Sequence, residues 1–254
     1  MGRLLFELNK QLDINIISIN GGEKYNSIPN FCCSIISSNE SEINNIKKIC
    51  LHIEKIFRDE YKYEGLFINI NQNVEENKEK QFTQEITNKV IDFLVLIPDG
   101  IQTMSEDING LVESSLNLGI IKTESNKIIF KIDLRSSLKS KLYEIINKID
   151  IMGKAFGFEI KKNGEYPEWP YNSELKIKDL SMEIYKKLFN MEPTVTALHA
   201  GLECGIFKEK LSNDIEIISF GPNIFNVHTI NEHMDIESVE RMYIFLIELL
   251  KNIF

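Results

Sequence analysis

A short run that excludes regular structure, Asn163 to Pro170 (NGEYPEWP), constrains the fold of this chain more than any other feature. It contains one glycine and two prolines, and proline removes the backbone donor that helices and sheet interiors need. The spacing of apolar residues also changes after this run. We therefore expect two structural parts, residues 1–165 and residues 166–254.

Helical and strand patterns alternate before this break. Apolar residues at helical spacing predict helices over residues 3–13, 41–58, 82–94 and 137–152. Short or alternating apolar runs predict strands over residues 15–19, 31–36, 66–70, 100–104, 115–122, 127–134 and 156–161. This order fits an α+β layer, in which helices back a mostly antiparallel sheet.

The second part has the pattern of an α/β domain but few strands. Helices are predicted over residues 173–190, 202–208 and 236–254, with strands over residues 194–198 and 215–219. Such β-α-β material is typical of one edge of a doubly wound sheet, so the chain as a whole is predicted to be α/β. Two strands are too few for an independent domain of this class, and we expect the second part to be incomplete.

Composition excludes several classes of partner. The 254 residues carry a net charge of -9, which argues against a nucleic-acid partner because such proteins need a basic face. No apolar run approaches the roughly 18 residues of a membrane span, and the N-terminal residues lack a signal-peptide pattern. The four cysteines form no CxxC pair, which is typical of reduced thiols in a cytoplasmic protein.

The histidines differ in their surroundings. His52 falls within a predicted helix and is interpreted as a surface or boundary residue. His233 and Asp235 have a spacing common among metal ligands, but Asp235 precedes a long apolar-periodic run, so we expect it to cap that helix. His228 lies in a loop beyond a strand end, where sites on open α/β sheets gather. A lone loop histidine is also commonly an ordinary surface residue.

Two further positions carry candidate site residues. The run His199 to Gly205 (HAGLECG) follows a predicted strand and opens a helix, so its glycines could let the backbone approach a ligand. It could equally be a tight strand-to-helix turn. Arg135, at the end of the strand KIIFKIDLR, could hold a carboxylate in bidentate fashion or be an exposed surface charge.

These motifs resemble the aminoacyl-histidine dipeptidases, a family of co-catalytic zinc peptidases. The most specific match is HAGLECG followed by Gly221-Pro222, His228 and Asn231-Glu232. The remaining matches extend along essentially the whole chain: Gly2 to Leu5, Asn20 to Gly22, Asn26 to Pro29, Pro98 to Gly100, Glu113 to Gly119, Leu134 to Ser136 and Tyr166 to Trp169.

The resemblance implies roles for particular residues. Residues 1–165 would be most of a lid domain, and residues 166–254 the C-terminal portion of the catalytic domain. His228 matches the last zinc ligand of the family, and Asn26 and Arg135 match lid residues that bind the carboxylate of the substrate. His199 and Glu203 match a motif beside the active site. Thr229 and Ile230 depart from the usual residues after the ligand histidine.

The resemblance also implies what this chain does not supply. The other ligands of the two zinc ions and the glutamate general base match sequence upstream of Met1. We therefore expect a C-terminal fragment of a cytoplasmic zinc dipeptidase that acts on Xaa-His dipeptides and is inactive alone. Its expected partners are the dipeptide, the missing N-terminal part and a second copy through the lid, with neither nucleic acid nor membrane.

The missing upstream part has one further consequence. Loss of the upstream strands should leave an apolar sheet edge on residues 166–254, with poor stability or self-association.

The alternative function for this chain is a non-catalytic peptide-binding or dimerisation module derived from the lid.

Overall fold

Contacts within the chain divide it into two units. Unit 1 comprises residues 1–102, 115–134 and 143–161, and unit 2 comprises residues 103–114, 135–142 and 162–254. The structure is a computed structural model. It describes residues 1–62, 65–72, 80–165, 167, 169, 171–172, 174–196, 203–211, 214–227 and 229–253.

Helices and antiparallel strands alternate along the described residues, which confirms the predicted mixed α/β class. The helices are α1 (Gly2–Asn9), α2 (Ile43–Tyr61), α3 (Gln84–Leu96), α4 (Lys139–Phe156), α5 (Lys176–Phe189), α6 (Glu203–Lys210) and α7 (Ile236–Ile253). A 3-10 turn (Glu40–Glu42) precedes α2. The strands are β1 (Asn15–Gly21), β2 (Cys32–Ser37), β3 (Gly100–Met104), β4 (Val112–Glu124), β5 (Lys127–Ser136), β6 (Ile224–Phe225) and β7 (His233–Met234).

Five strands form one sheet in the order β2-β1-β4-β3, with β5 also paired to β4. Strands β1 and β2 are antiparallel, from Asn15 opposite Ser37 to Gly21 opposite Cys32, with an irregularity after Ile16. Strand β4 pairs antiparallel with the other side of β1. Among the described residues, strand β2 therefore lies at an edge of the sheet.

The larger core of unit 1 lies among the helices α1, α2 and α3 and the strands β1 and β4. Three leucines of α1 and three isoleucines around β1 are buried, because each element places its apolar residues on one face. Thr87 of α3 is also fully buried, and its hydroxyl accepts a hydrogen bond from the backbone amide of Ile16 (3.0 Å). This bond joins α3 to the backbone of β1.

An ion pair ties the first turn of the chain to the end of α2. Both terminal nitrogens of Arg3 donate to the carboxylate of Glu60 (2.6 and 3.0 Å), and the guanidinium lies 4.9 Å from the ring centroid of Phe57. The hydrogen bond from Arg3 lowers the pKa of Glu60.

A second core in unit 1 is aromatic. Phe93 of α3 contacts the rings of Phe130, Phe156 and Phe158 at centroid distances of 4.8, 6.1 and 5.2 Å. Ile145 and Ile149 of α4 complete this core from the adjacent helix.

In unit 2 the helices α5 and α7 pack against each other. Phe245 of α7 contacts Tyr185 of α5 at a centroid distance of 5.5 Å and Phe220 at 4.8 Å. Ile184, Phe245 and Leu249 are buried at this contact. Strands β6 and β7 form a separate antiparallel hairpin that leads into α7.

Four predicted strands have no strand assignment at their described residues: 66–70, 156–161, 194–196 of the 194–198 prediction, and 215–219. Helix α4 continues to Phe156, and Gly157 ends it with a φ of +72°. Phe158 then packs into the aromatic core. Apolar alternation indicates which side chains are buried, but a strand also requires a partner that accepts and donates its backbone hydrogen bonds.

Candidate functional site

The loop between β1 and β2 carries the candidate substrate-binding residue Asn26. Residues 25 and 26 form a turn, and Asn26 is exposed. The side-chain amide of Asn117 donates to the carbonyl oxygens of Tyr25 (3.0 Å) and Ser27 (2.9 Å). The backbone on both sides of Asn26 is thus held from β4, while the Asn26 side chain faces solvent.

Two glycines let this loop lie directly on β4. A Cβ atom added to Gly119 would lie 2.1 Å from the carbonyl oxygen of Tyr25. A Cβ atom on Gly22, whose φ is +74°, would lie 1.8 Å from the carbonyl oxygen of Gly119. No other residue permits such backbone approaches. The structure therefore places the neighbouring motif segments 20–22 and 26–29 against residues 117–119 of β4, about 90 residues later in the sequence.

Arg135 is the penultimate residue of β5 and is partly buried. Immediately after it, the amide of Ser137 donates to the carbonyl oxygen of Glu113 (3.1 Å), at the start of β4. The Ser136 hydroxyl accepts from the amide of Leu138 (3.1 Å) and ends the strand. Within unit 2, the backbone that follows Arg135 is therefore held by its hydrogen bond to Glu113, which belongs to another motif segment.

Of the HAGLECG run, the structure describes Glu203, Cys204 and Gly205, whereas His199 lies outside the described residues. Glu203 begins α6 and is exposed. A carboxylate in the first turn stabilises a helix through the helix dipole. Burial, followed by the nearby Glu203 carboxylate, raises the pKa of the Cys204 thiol. Glu203 therefore has a structural role in addition to any role in binding.

The candidate metal ligand His228 also lies outside the described residues, but its neighbours form an ordered turn. The Thr229 hydroxyl donates to the carbonyl oxygen of Asn226 (2.7 Å) and accepts from the amide of Asn231 (3.2 Å). Asn226 adopts the left-handed conformation, with a φ of +52°. Thr229, one of the two residues that depart from the family pattern, thus stabilises the turn itself.

His233 and Asp235 are engaged separately. The His233 ring stacks on Phe225 at a centroid distance of 5.2 Å, and its Nδ1 donates to the carbonyl oxygen of Asn231 (2.8 Å). Asp235 accepts from the amide of Glu237 (3.1 Å) in the first turn of α7. The prediction that Asp235 caps this helix is confirmed.

The described residues contain no group of three His, Cys, Asp or Glu side chains that could hold a metal ion. A catalytic zinc takes about three protein ligands plus water. These residues therefore do not by themselves fit a zinc centre.

In the described part of the chain, no helix combines the length and apolar character needed to cross a membrane.

Comparison with known proteins identifies the relatives. No family model matches the chain. It is 29% identical over 244 residues to the cytosol non-specific dipeptidase of Escherichia coli (strain K12), covering 96% of this chain and 50% of that protein. It superposes on the crystal structure of the aminoacylhistidine dipeptidase from Vibrio alginolyticus with a TM-score of 0.87 and 26% identity. This second match covers 99% of the chain and 51% of that protein.

The chain is homologous to the C-terminal half of these dipeptidases. The resemblance that the motifs indicated is thus confirmed at this level. The chain spans about half the length of each relative.

Sequence reasoning gave no role to Asn117, which holds the Asn26 loop. A signal was present, because Asn117 and Gly119 lie on the same face of β4, two residues apart. Their partners, the carbonyl groups of residues 25 and 27, are backbone atoms. No pattern of side chains in the loop could identify them.

Proposed function

We propose that this chain is the C-terminal portion of a zinc-dependent cytoplasmic dipeptidase that hydrolyses Xaa-His dipeptides, and that it is inactive alone. The observation that carries the proposal is the match of 99% of the chain to half of an aminoacylhistidine dipeptidase at a TM-score of 0.87. An identity of 26% and the convergence of motif segments around Asn26 support a shared function in addition to a shared fold.

In this proposal residues 1–165 are the lid and residues 166–254 belong to the catalytic domain. Asn26 and Arg135 hold the carboxylate end of the dipeptide, and His199 and Glu203 line the site. The geometry around Asn26 supports its role, because an exposed amide on a backbone held at both neighbours can bind a ligand with little loss of conformational entropy.

His228 is proposed as a single zinc ligand. Bound zinc would supply the activation of water for attack on the peptide bond. One histidine cannot hold catalytic zinc, so the remaining ligands and the general base must come from the half of the dipeptidase that this chain does not match. That half is a proposed partner, together with the dipeptide. Neither nucleic acid nor a membrane is a proposed partner.

A second copy of the chain is a further proposed partner through the lid, and the same observation favours the alternative function. Strand β2 lies at the sheet edge, contains no charged residue (CCSIIS) and exposes Ile35. Edge strands without charge readily pair with another chain. A lid-derived module that only binds peptides or dimerises would use the same edge.

Co-expression tests the main proposal. This chain would be produced with a polypeptide covering the half of the Escherichia coli dipeptidase that it does not match, and hydrolysis of glycyl-histidine would be followed with added zinc. We expect activity from the pair and none from the chain alone. In the active pair, Asn26→Ala should raise KM about tenfold, the effect of losing one hydrogen bond to a charged group. The matched control Asn30→Ala, an exposed asparagine of the same loop, should leave KM within about twofold.

Three outcomes would count against the proposal. Stoichiometric tight zinc binding or hydrolysis by the chain alone would refute the incomplete site. Equal effects of the two asparagine variants would refute the role of Asn26. Dipeptide binding and dimerisation without hydrolysis in any combination would favour the binding module.

A further inference from the structure

Helix α7 has a wide apolar surface of which the described chain covers only one part. At about 100° per residue, the buried residues Ser238, Phe245 and Leu249 fall in one narrow sector that faces α5. The next sector, about 100° wide, holds six large apolar residues that are all substantially exposed. These residues, termed the α7 stripe, are Ile236, Val239, Tyr243, Leu246, Leu250 and Ile253.

The charged residues of α7 mark a different face. Glu237, Glu240, Arg241, Glu248 and Lys251 all fall in the remaining sector of the helix. A helix that faces water on one side and one neighbour on the other carries a single apolar sector against that neighbour. The α7 stripe lies outside both the contact with α5 and the charged face, and so has the composition of a second buried face.

The neighbouring residues 215–220 have no backbone partner among the residues that the structure describes. Residues 215–220 (IEIISF) pack Ile218 and Phe220 against the α5–α7 pair. No backbone hydrogen bond joins these six residues to any other described residue. Partly buried backbone groups require such bonds, and an extended apolar segment acquires them when another strand pairs with it.

We propose that the α7 stripe and residues 215–220 together form the surface on which the unmatched half of a dipeptidase docks, adding a strand beside residues 215–220 and packing apolar side chains on α7. This inference rests on the proposed function. The two halves would be held together through this surface. Each relative is about twice as long as this chain.

A second copy of this chain fits the surface less well. The stripe has the spacing of a coiled-coil seam, but the positions that flank it are Glu240, Met242, Ile247 and Leu249. Paired helices are specified by opposite charges at these flanking positions, and only one of the four is charged. Pairing through α7 alone would also leave residues 215–220 without a backbone partner in the described part of the chain.

The test uses two aliphatic residues of α7 with the same exposure on different faces. Leu250 in the stripe is 44% exposed, and Ile244 on the charged face is 43% exposed. This chain would be co-expressed with the tagged unmatched half of the Escherichia coli dipeptidase, and the amount of complex would be quantified after purification. We expect Leu250→Glu to reduce the complex about tenfold or more, because it buries a charge. Ile244→Glu should leave the amount of complex unchanged.

A second variant separates docking from folding. Ile236 is 82% exposed at the first residue of α7, where a carboxylate favours the helix dipole. Ile236→Glu should leave the isolated chain as stable as the parent in urea while it reduces the complex. In the complex, hydrogen–deuterium exchange should slow at the amides of residues 215–220.

The possible outcomes distinguish the inference from the proposed function. Absence of a complex, equal effects of Leu250→Glu and Ile244→Glu, or unchanged exchange at residues 215–220 would overturn the inference. Self-association of the chain that Leu250→Glu abolishes, without binding of the other half, would assign the surface to a second copy instead. A complex that responds to the variants but hydrolyses no dipeptide would uphold the docking surface and refute the proposed activity.

Discussion

Replacement of Gly119 by alanine should displace the loop that carries Asn26 and destabilise unit 1. The added Cβ would lie 2.1 Å from the carbonyl oxygen of Tyr25 and 2.5 Å from its carbonyl carbon. Ordinary contact requires more than 3 Å, so the loop must retreat by roughly 1 Å. The atoms that the added Cβ would meet belong to the backbone of Tyr25 and not to a flexible side chain. Strand β4 cannot move away either, because it is paired with neighbouring strands of the sheet.

The magnitude follows from three contributions. Overpacking typically costs about 1–3 kcal/mol. Retreat of the loop also breaks the two hydrogen bonds from Asn117, each contributing about 0.5–1.5 kcal/mol. Against these, alanine lowers the entropy of the unfolded chain and stabilises by about 0.4–1 kcal/mol. These ranges give a net loss of about 1–5 kcal/mol in the free energy of unfolding, with a middle value of about 3 kcal/mol.

Urea unfolding followed by far-ultraviolet circular dichroism would measure this loss. Gly221→Ala is the matched control, because a Cβ there meets no atom within 4 Å and its effect should be zero or slightly stabilising. A loss below about 0.5 kcal/mol for Gly119→Ala would show that the loop adapts without strain. The argument that Gly119 and Asn117 position Asn26 would then be wrong.

Two further predictions concern stability. Thr87→Val keeps the shape of the side chain but leaves the buried amide of Ile16 without an acceptor, so it should destabilise by about 1–3 kcal/mol in the same assay. Thr87→Ser should retain most of the stability, and equal losses would contradict this reasoning. Glu60→Gln removes the pairing with Arg3, which lowers the pKa of Glu60 below its ordinary value of 4.5. The parent should therefore be more stable than the variant at pH 7, and the difference should disappear as pH falls below 4.5. A difference that does not change with pH would refute the ion pair as its cause.

Most helices could be predicted from sequence. The apolar spacing of residues 82–94 and 236–254 predicted α3 and α7 closely, since a helix satisfies its own backbone and its pattern is local. Four strand predictions failed for the opposite reason. Residues 215–219 have the composition of a strand, but a strand exists only where another segment completes its hydrogen bonds.

The residues of the candidate site show the same difference between local patterns and contacts of distant segments. Asn26 and Arg135 were named as candidate substrate-binding residues from the resemblance, and these roles stay predictions. The capping role of Asp235 followed from its place before an apolar run and is confirmed. The role of Asn117 could not be predicted, because it binds backbone carbonyl groups about 90 residues away in sequence.

Local pattern was sufficient for the mixed α/β class, the helices and the resemblance to dipeptidases, because each depends on residues within a few turns of one another. Tertiary structure alone revealed that segments 20–22 and 26–29 meet residues 117–119, and that the described residues leave a second apolar face of α7 uncovered. Both are consequences of packing between distant segments. The local pattern of side chains does not show which backbone atoms of distant segments come into contact, or which apolar face finds a neighbour within the same chain.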